Sequence, residues 1–383
     1  MNAASRFRMT PGRLWAVLLF AAFLASCSDT LPVTPLQPLK ATRFYDVRWH
    51  VSLGSKNAEV LFPALYEDAL YLASADGELM SLDPSTGKEN WHIKTHEAFS
   101  AGVGDGDDML FMGNKQGDLL AYDTKGHLQW RVHLSSELAT APQAADGIVV
   151  TRTVDGHIYG HDVSDGKQRW TENRAMPTLT VRGGSGTTVD RGGAFLSLPG
   201  GKLIAFNVTD GHVGWESTIS MPLGATELER VNDVLGNPVL GYRDVCVAAY
   251  QSKVSCLEAQ RGTVIWAHDI AAIGPLAHEE GKLYVTDEKG DVVALNRITG
   301  SVAWKSDVLE GRYPSSPVAL EDNVAVGDVE GVVHFLNRDD GSETSRHETD
   351  KVPIVMQPLA LGDGMVLVVN QQGGVYALGP AKR

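Results

Sequence analysis

Cysteines, histidines and clustered carboxylates are the side chains of this 383-residue chain best suited to covalent, metal or acid–base work, so their spacing decides which chemistry is open to it. Cys246 and Cys256 stand ten residues apart and flank a hairpin turn read at Gln251 to Lys253, which can set them face to face across two strands. A disulfide and a pair of inert buried thiols both fit that arrangement. No CxxC motif or Cys/His cluster marks a zinc site. His92/His96 and His157/His161 have the four-residue spacing of a zinc-binding helix. In strands, however, four residues cover about 13 Å, too far to share one metal. Asp105, Asp107 and Asp108 fall in a Gly-rich turn without the later glutamate of a calcium loop. Gly183, Gly184 and Gly186 lack the Lys and Ser/Thr of a phosphate loop and read as flexibility beside Arg182; no GxSxG elbow is present. No catalytic group, metal or cofactor is therefore assigned.

The elements around these residues repeat. Seven of the eight tryptophans, Trp49, Trp91, Trp130, Trp170, Trp215, Trp266 and Trp304, recur at steps of 42, 39, 40, 45, 51 and 38 residues. Ahead of each later one stands the same pattern: an alternating apolar run, a Gly or polar turn, a second alternating run, then an Asp/Asn turn with Gly. Period-two apolarity around Gly turns is a hairpin signature, and a period near 40 with strand content marks propeller blades. Copies begin near Ala69, Met109, Gly147, Gly193, Val245, Lys282, Asn323 and Met365, and the seventh has Ser345 where Trp is expected. The eighth stops at Leu378, before an outer strand, whereas the strand-like stretch Phe44 to Leu53 lacks a hairpin of its own. The expected fold is all-β: an eight-bladed propeller of four-stranded antiparallel blades over residues 44–383, closed by the N-terminal strand. Each Trp, the six later ones four residues past a turn glycine, is expected to dock against the neighbouring blade, burying about 150 to 250 Å².

Two connections break the period. Trp170 to Gly193 spans 23 residues and Trp215 to Val245 spans 30, against 16 to 18 for Trp91 to Met109, Trp130 to Gly147 and Trp266 to Lys282. Both long links join an outer strand to the next inner strand, so both are expected on one rim, where loops on a rigid scaffold carry function. The first holds Met176, Pro177, Leu179, Val181 and Arg182; the second holds Met221, Pro222, Leu223, Glu227, Arg230, Asp233 and Leu235. Apolar residues beside Arg suit an anchor with a polar rim; packing under the rim is the competing use.

The N-terminus reads as a targeting segment. Arg6, Arg8 and Arg13 precede an apolar run from Leu14 to Ala25, whose twelve residues fall short of the about 20 that span a bilayer. Leu24, Ala25, Ser26 and Cys27 resemble the lipobox of bacterial lipoproteins, with Cys27 lipidated. Residues 1–26 are then the signal peptide and 27–43 the lipidated residue and a flexible tether. Ser28 rather than Asp at the next position implies, by analogy with lipoprotein sorting, the outer membrane, facing the periplasm. Loss of three arginines takes the formal charge from -14 to -14 - 3 = -17, which disfavours nucleic acid and anionic lipid as direct partners; the membrane is met through the anchor.

Quinoprotein dehydrogenases resemble this repeat in their tryptophan-docked propellers. They usually carry adjacent cysteines and a calcium-linked acid cluster; here the cysteines are separated and the Asp residues sit at repeat turns. That enzyme and a periplasmic ligand-sensing propeller are the alternatives. The lipobox, the eight repeats and the stretches Leu179-Thr180-Val181-Arg182-Gly183 and Thr226-Glu227-Leu228-Glu229-Arg230 resemble the BamB family, propeller lipoproteins of the outer-membrane β-barrel assembly machinery. The resemblance covers nearly the whole chain. It implies a non-enzymatic scaffold that docks onto a periplasmic POTRA domain of the barrel protein BamA, alongside the complex's other lipoproteins. Leu179, Arg182 and Asp233 match the family's contact residues, Val181 replaces a leucine, and Leu235 stands where an acid is usual. Glu227 and Arg230 complete the candidate partner-binding set. A further expectation is that exposed blade edges capture unfolded barrel strands by β-augmentation.

Overall fold

Alternating runs separated by Gly turns leave each segment two faces to cover, and the structure covers both. In the computed structural model, which describes residues 32–55, 59–181 and 185–381, the middle strands of each repeat are buried along almost their whole length, as in Leu72 at 0% exposure. The outermost strands, such as Glu89–Lys94 and Val213–Thr218, alternate between exposed and half-buried residues. That gradient is what stacked sheets require: inner strands sandwiched between neighbours, outer strands meeting water on their free edge. Among the described residues there are thirty-two strands and no α-helix.

Six sheets have four antiparallel strands each. A seventh has eight, made of two four-stranded halves that meet through one parallel pair, Gln143 with Asp105. The groups follow chain order: 64–94, 99–133, 143–173, 187–218, 234–270, 277–306, 318–348, and 359–380 together with Tyr45–Ser52. Their second strands start at Ala69, Met109, Ile148, Gly193, Asp244, Lys282, Asn323 and Met365, within one residue of the repeat starts read from sequence. Asp105 belongs to the strand Phe99–Gly106 and not to the turn, which Asp107 and Asp108 form at φ of 50° and 60°. Burial pushes the Asp105 carboxyl up to about 6.

Apolar clusters fill the spaces between consecutive groups. Phe111 and Leu119 of the second group meet Val149 and Tyr159 of the third, and the other consecutive pairs are bridged likewise. Trp49, Leu367 and Val375 of the last group share a cluster with Leu70 and Leu72 of the first. The strand Tyr45–Ser52 pairs antiparallel with Gly374–Pro380 through seven residue pairs, from Tyr45 opposite Pro380 to Ser52 opposite Gly374.

The seven tryptophans make one interaction seven times. Each indole N–H donates to a turn carbonyl of the next group: Trp49 to Pro84 at 2.9 Å, Trp130 to Val163 at 2.7 Å, Trp304 to Arg338 at 2.9 Å. The same holds for Trp91, Trp170, Trp215 and Trp266. The ring then lies over the turn glycine: a Cβ on Gly211 would stand 2.5 Å from Trp170 and one on Gly300 2.5 Å from Trp266. In six of these seven turns, Glu258 heading the other, an Asp or Asn accepts from the N–H groups that follow, as Asp83 does from Ser85 and Thr86. Opposite each Trp in its own sheet stands a small residue, such as Ser81, Ala121 or Gly160. The seventh group reverses the pair, with Phe335 opposite Ser345.

Residues 1–31, including the stretch read as a signal peptide and Cys27, lie outside the described residues. The compact unit begins at Leu36. At the end of the stretch expected to be a tether, Gln37, Thr42 and Arg43 are bonded to the seventh group.

Candidate protein-binding site

The two long links, 174–186 and 219–233, are tied together by one buried carboxylate. Asp233, 1% exposed, accepts Val181 N–H at 2.6 Å on one oxygen and Gly200 N–H at 2.9 Å on the other. A charge-assisted bond of this kind is worth about twice a neutral one, so Asp233 fixes the first loop's backbone against the start of the fifth group. Buried Arg152, 4% exposed, supplies the opposing charge. Burial pushes its guanidinium down to about 10, and the Asp233 carboxylate counters part of that shift.

Local bonds explain how each loop holds its shape. Arg174 N–H donates to Gly156 O at 3.0 Å, its Nη1 donates to Glu172 at 3.0 Å, and its guanidinium lies over the Phe206 ring. Asn232 Nδ2 donates to Ser220 O at 2.9 Å and closes the base of the second loop. Within that loop, Thr226 and Glu229 form a reciprocal cap: Glu229 N–H donates to Thr226 Oγ1 at 3.3 Å, and Glu229 Oε2 accepts from Thr226 N–H at 3.0 Å and Ala225 N–H at 2.8 Å. These backbone donors hold the Glu229 carboxyl below its ordinary value. The turn displays Leu228 at 76% exposure, with Met221 at 71% and Leu223 at 79% on its approach. Glu227 and Arg230 form an ion pair at 3.7 Å beside it.

The candidate residues thus separate into three kinds. Leu179 is 45% exposed, and Glu227 and Arg230 are exposed, all open to a partner. Asp233 and Leu235 are not exposed: Asp233 uses its oxygens internally, and Leu235 at 2% exposure packs inside the sheet. The lone acid before an apolar run reads as surface charge because its acceptor role depends on N–H groups 52 and 33 residues away. Val181 is half-buried, and Arg182 lies outside the described residues. Leu228, exposed on the capped turn, is not among the residues singled out from sequence; the T-x-x-E spacing around it is the available signal.

Most of the other candidate groups are already engaged, His161 excepted, whose buried Nδ1 has no hydrogen-bond partner among the described residues. Cys246 lies directly opposite Cys256, Cα atoms 4.0 Å apart, with the sulfurs at bonding distance. Asp244 approaches them, but its carboxylate is held by Arg297 Nε at 2.7 Å, so sulfur and oxygen donors are both in use. His92 bonds Glu78, His157 pairs with Asp155, and His161 is buried against Tyr159. A cleft of about 500 Å³ is lined by Asp107, Asp123 and Asp162, yet Asp123 and Asp162 accept from turn N–H groups.

Repeated four-stranded antiparallel groups with apolar clusters between consecutive ones define the β-propeller class. A sequence model described as outer membrane protein assembly factor BamB matches residues 75–306. A protein of that name from Nitrosomonas eutropha is 37% identical over 346 residues, covering 90% of this chain and 82% of its own. The chain belongs to the outer membrane protein assembly factor BamB family. The crystal structure of BamB from Moraxella catarrhalis superimposes with a TM-score of 0.79 at 23% identity, covering 88% of this chain and 100% of that one. A quinohemoprotein alcohol dehydrogenase from Comamonas testosteroni reaches a TM-score of 0.69 at 13% identity, over 88% of this chain and 77% of its own, a likeness of fold alone.

Proposed function

We propose that this chain is a non-enzymatic scaffold subunit of the outer-membrane β-barrel assembly machinery, whose loops at 174–186 and 219–233 grip a periplasmic POTRA domain of BamA. The carrying observation is the Asp233 bond to Val181 N–H, which braces two loops whose exposed large apolar residues are Leu179, Met221, Leu223 and Leu228. Rigid apolar anchors with charged neighbours lose little freedom on binding, the property expected of an interface core. The proposed body is a closed ring of eight blades with Tyr45–Ser52 as the outer strand of the last, a reading supported by the cluster shared between last and first groups. The proposed anchor is lipidated Cys27, exposed by removal of residues 1–26 and inserted in the outer membrane from the periplasmic side. In that oxidising compartment Cys246 and Cys256 form a disulfide. Leu179 and Val181 fill an apolar pocket on the partner, and Arg182 pairs with one of its acids.

Affinity purification from solubilised outer membranes tests this. Wild type is expected to retain the barrel protein and the complex's other lipoproteins, and Leu179→Ala and Arg182→Glu to lose it. Truncating a buried interfacial charge typically costs about 2 to 5 kcal/mol. Equal retention by both variants would dismiss the loop site.

A further inference from the structure

The segment before the first strand is docked. Thr42 and Arg43 N–H groups both donate to Thr344 O, at 2.9 and 3.3 Å, on the outermost strand of the seventh group, Glu343–Glu348. Arg346 Nη1, on the same strand, donates to Gln37 O at 3.0 Å, and Arg43 Nη1 pairs with Asp322 at 2.6 Å. Further on, Ala381 N–H donates to Phe44 O at 2.8 Å. The Arg43–Asp322 pair is half-exposed and contributes little alone; the backbone bonds carry the attachment.

This docking shortens the leash. Ten residue steps separate Cys27 from Gln37, and a chain of that length spans at most about 35 Å however it runs. Were the chain loose to residue 43, the reach would be about 55 Å. The docked stretch also differs in charge from the acidic body. Residues 36–49 carry Lys40, Arg43 and Arg48 against Asp46, with Arg43 paired to Asp322 and Arg48 donating to Pro380 O, and Phe44 is 60% exposed among them. Lys40 and Phe44 are exposed on this stretch, but the short tether, not charge, carries the orientation.

We infer that the edge of the seventh and eighth groups, with residues 37–48 laid against it, is the side of the molecule turned to the lipid surface. The loops at 174–186 and 219–233 then lie across the ring from it. This rests on the anchor and ring proposed above, since in a ring of eight the third group stands opposite the seventh.

The test uses the full lipidated protein in phosphatidylethanolamine/phosphatidylglycerol vesicles containing an acceptor-labelled lipid, with a donor fluorophore placed at Glu348 or at Asn173. Both positions are exposed and end the outermost strands of the seventh and third groups. Energy transfer is expected to be at least twofold stronger from position 348. A ten-residue Gly/Ser insertion after Pro35, which leaves every docking residue in place, is expected to bring the ratio toward one. Equal transfer from both positions on vesicle-bound protein, or a ratio the insertion does not change, would overturn the orientation alone. Failure of the protein to associate with vesicles would overturn the anchor, and this inference with it.

Discussion

Tyr45 stacks flat on Phe335, ring centroids 3.6 Å apart and planes 8° from parallel, although 290 residues separate them in the chain. The stack accounts for the missing eighth tryptophan. A docked Trp needs a turn glycine in the next group, but the strands Gly374–Pro380 and Tyr45–Ser52 of the last group are joined by no turn. The seventh group therefore moves its aromatic to the neighbouring strand as Phe335, leaves Ser345 opposite, and is covered by Tyr45 instead. Asn323 Nδ2 donates to the buried Tyr45 hydroxyl at 3.0 Å, and His347 Nδ1 bonds Tyr45 O at 3.0 Å.

Tyr45→Ala is accordingly expected to destabilise by about 3 to 5 kcal/mol, the range for emptying a buried aromatic site. Tyr45→Phe keeps the stack, loses one hydrogen bond, and is expected to cost about 1 kcal/mol. Urea unfolding followed by tryptophan fluorescence measures both. Equal losses would show that the hydroxyl, and not the stacked face, holds the strand.

The turn glycines permit a sharper comparison. Gly211 and Gly192 both have positive φ, 71° and 76°, so Ala costs about 1 to 2 kcal/mol of backbone strain at either. A Cβ at Gly192 meets nothing within 4 Å, whereas one at Gly211 would stand 2.5 Å from the Trp170 ring. Gly211→Ala is expected to lose a further amount of about 1 to 3 kcal/mol through overpacking. Matching midpoints for the two variants would mean that the indole yields freely.

The repeat was legible because its causes are local. Alternation, an Asp or Asn at the turn head, a glycine at positive φ and a Trp four residues on are each read from a few adjacent letters. Even Ser345 stood out as a gap, though the reason for it did not. What escaped detection depends on partners far away in sequence. Asp233 looks like a rim charge until Val181 and Gly200 are seen to use it, and residues 37–43 look like loose tether until Thr344 and Arg346 are placed beside them. Leu235 reads as part of the second long link, but it pairs with Ala248 as a strand residue and is buried beside Val234.

Asp233→Ala should loosen the rim without exposing a new surface. The Val181 and Gly200 amides, now bound to a carboxylate, are expected to exchange with solvent faster, while amides of the buried strand Ile148–Arg152 keep their protection. Removing one such charge-assisted bond costs about 1.5 to 3 kcal/mol, which predicts partner affinity reduced at least tenfold. Unchanged exchange at Val181 would show that other bonds already hold the loop.

His334, 1% exposed on its side chain, bridges two carboxylates: Nε2 lies 3.0 Å from Asp328 and Nδ1 2.7 Å from Glu343. Burial opposes its charge, but hydrogen bonds and attraction from both acids raise its pKa, while imidazolium and guanidinium neighbours lower theirs. Arg312 also pairs with Asp328 and Glu330, and Arg346 with Glu343, so the carboxylates remain partnered when His334 is neutral. A raised histidine stabilises fully below its unfolded value near 6.5 and loses that contribution as pH rises through its folded value. The depressed acids stabilise above their ordinary values, near 3.8 and 4.5, and lose that as pH falls through their folded values. Stability is therefore expected to fall on the alkaline side in wild type but to flatten there in His334→Gln, with the acid limb retained in both. Urea midpoints measured from pH 4 to pH 9 would check this, and an alkaline limb that persists in His334→Gln would assign it to another group.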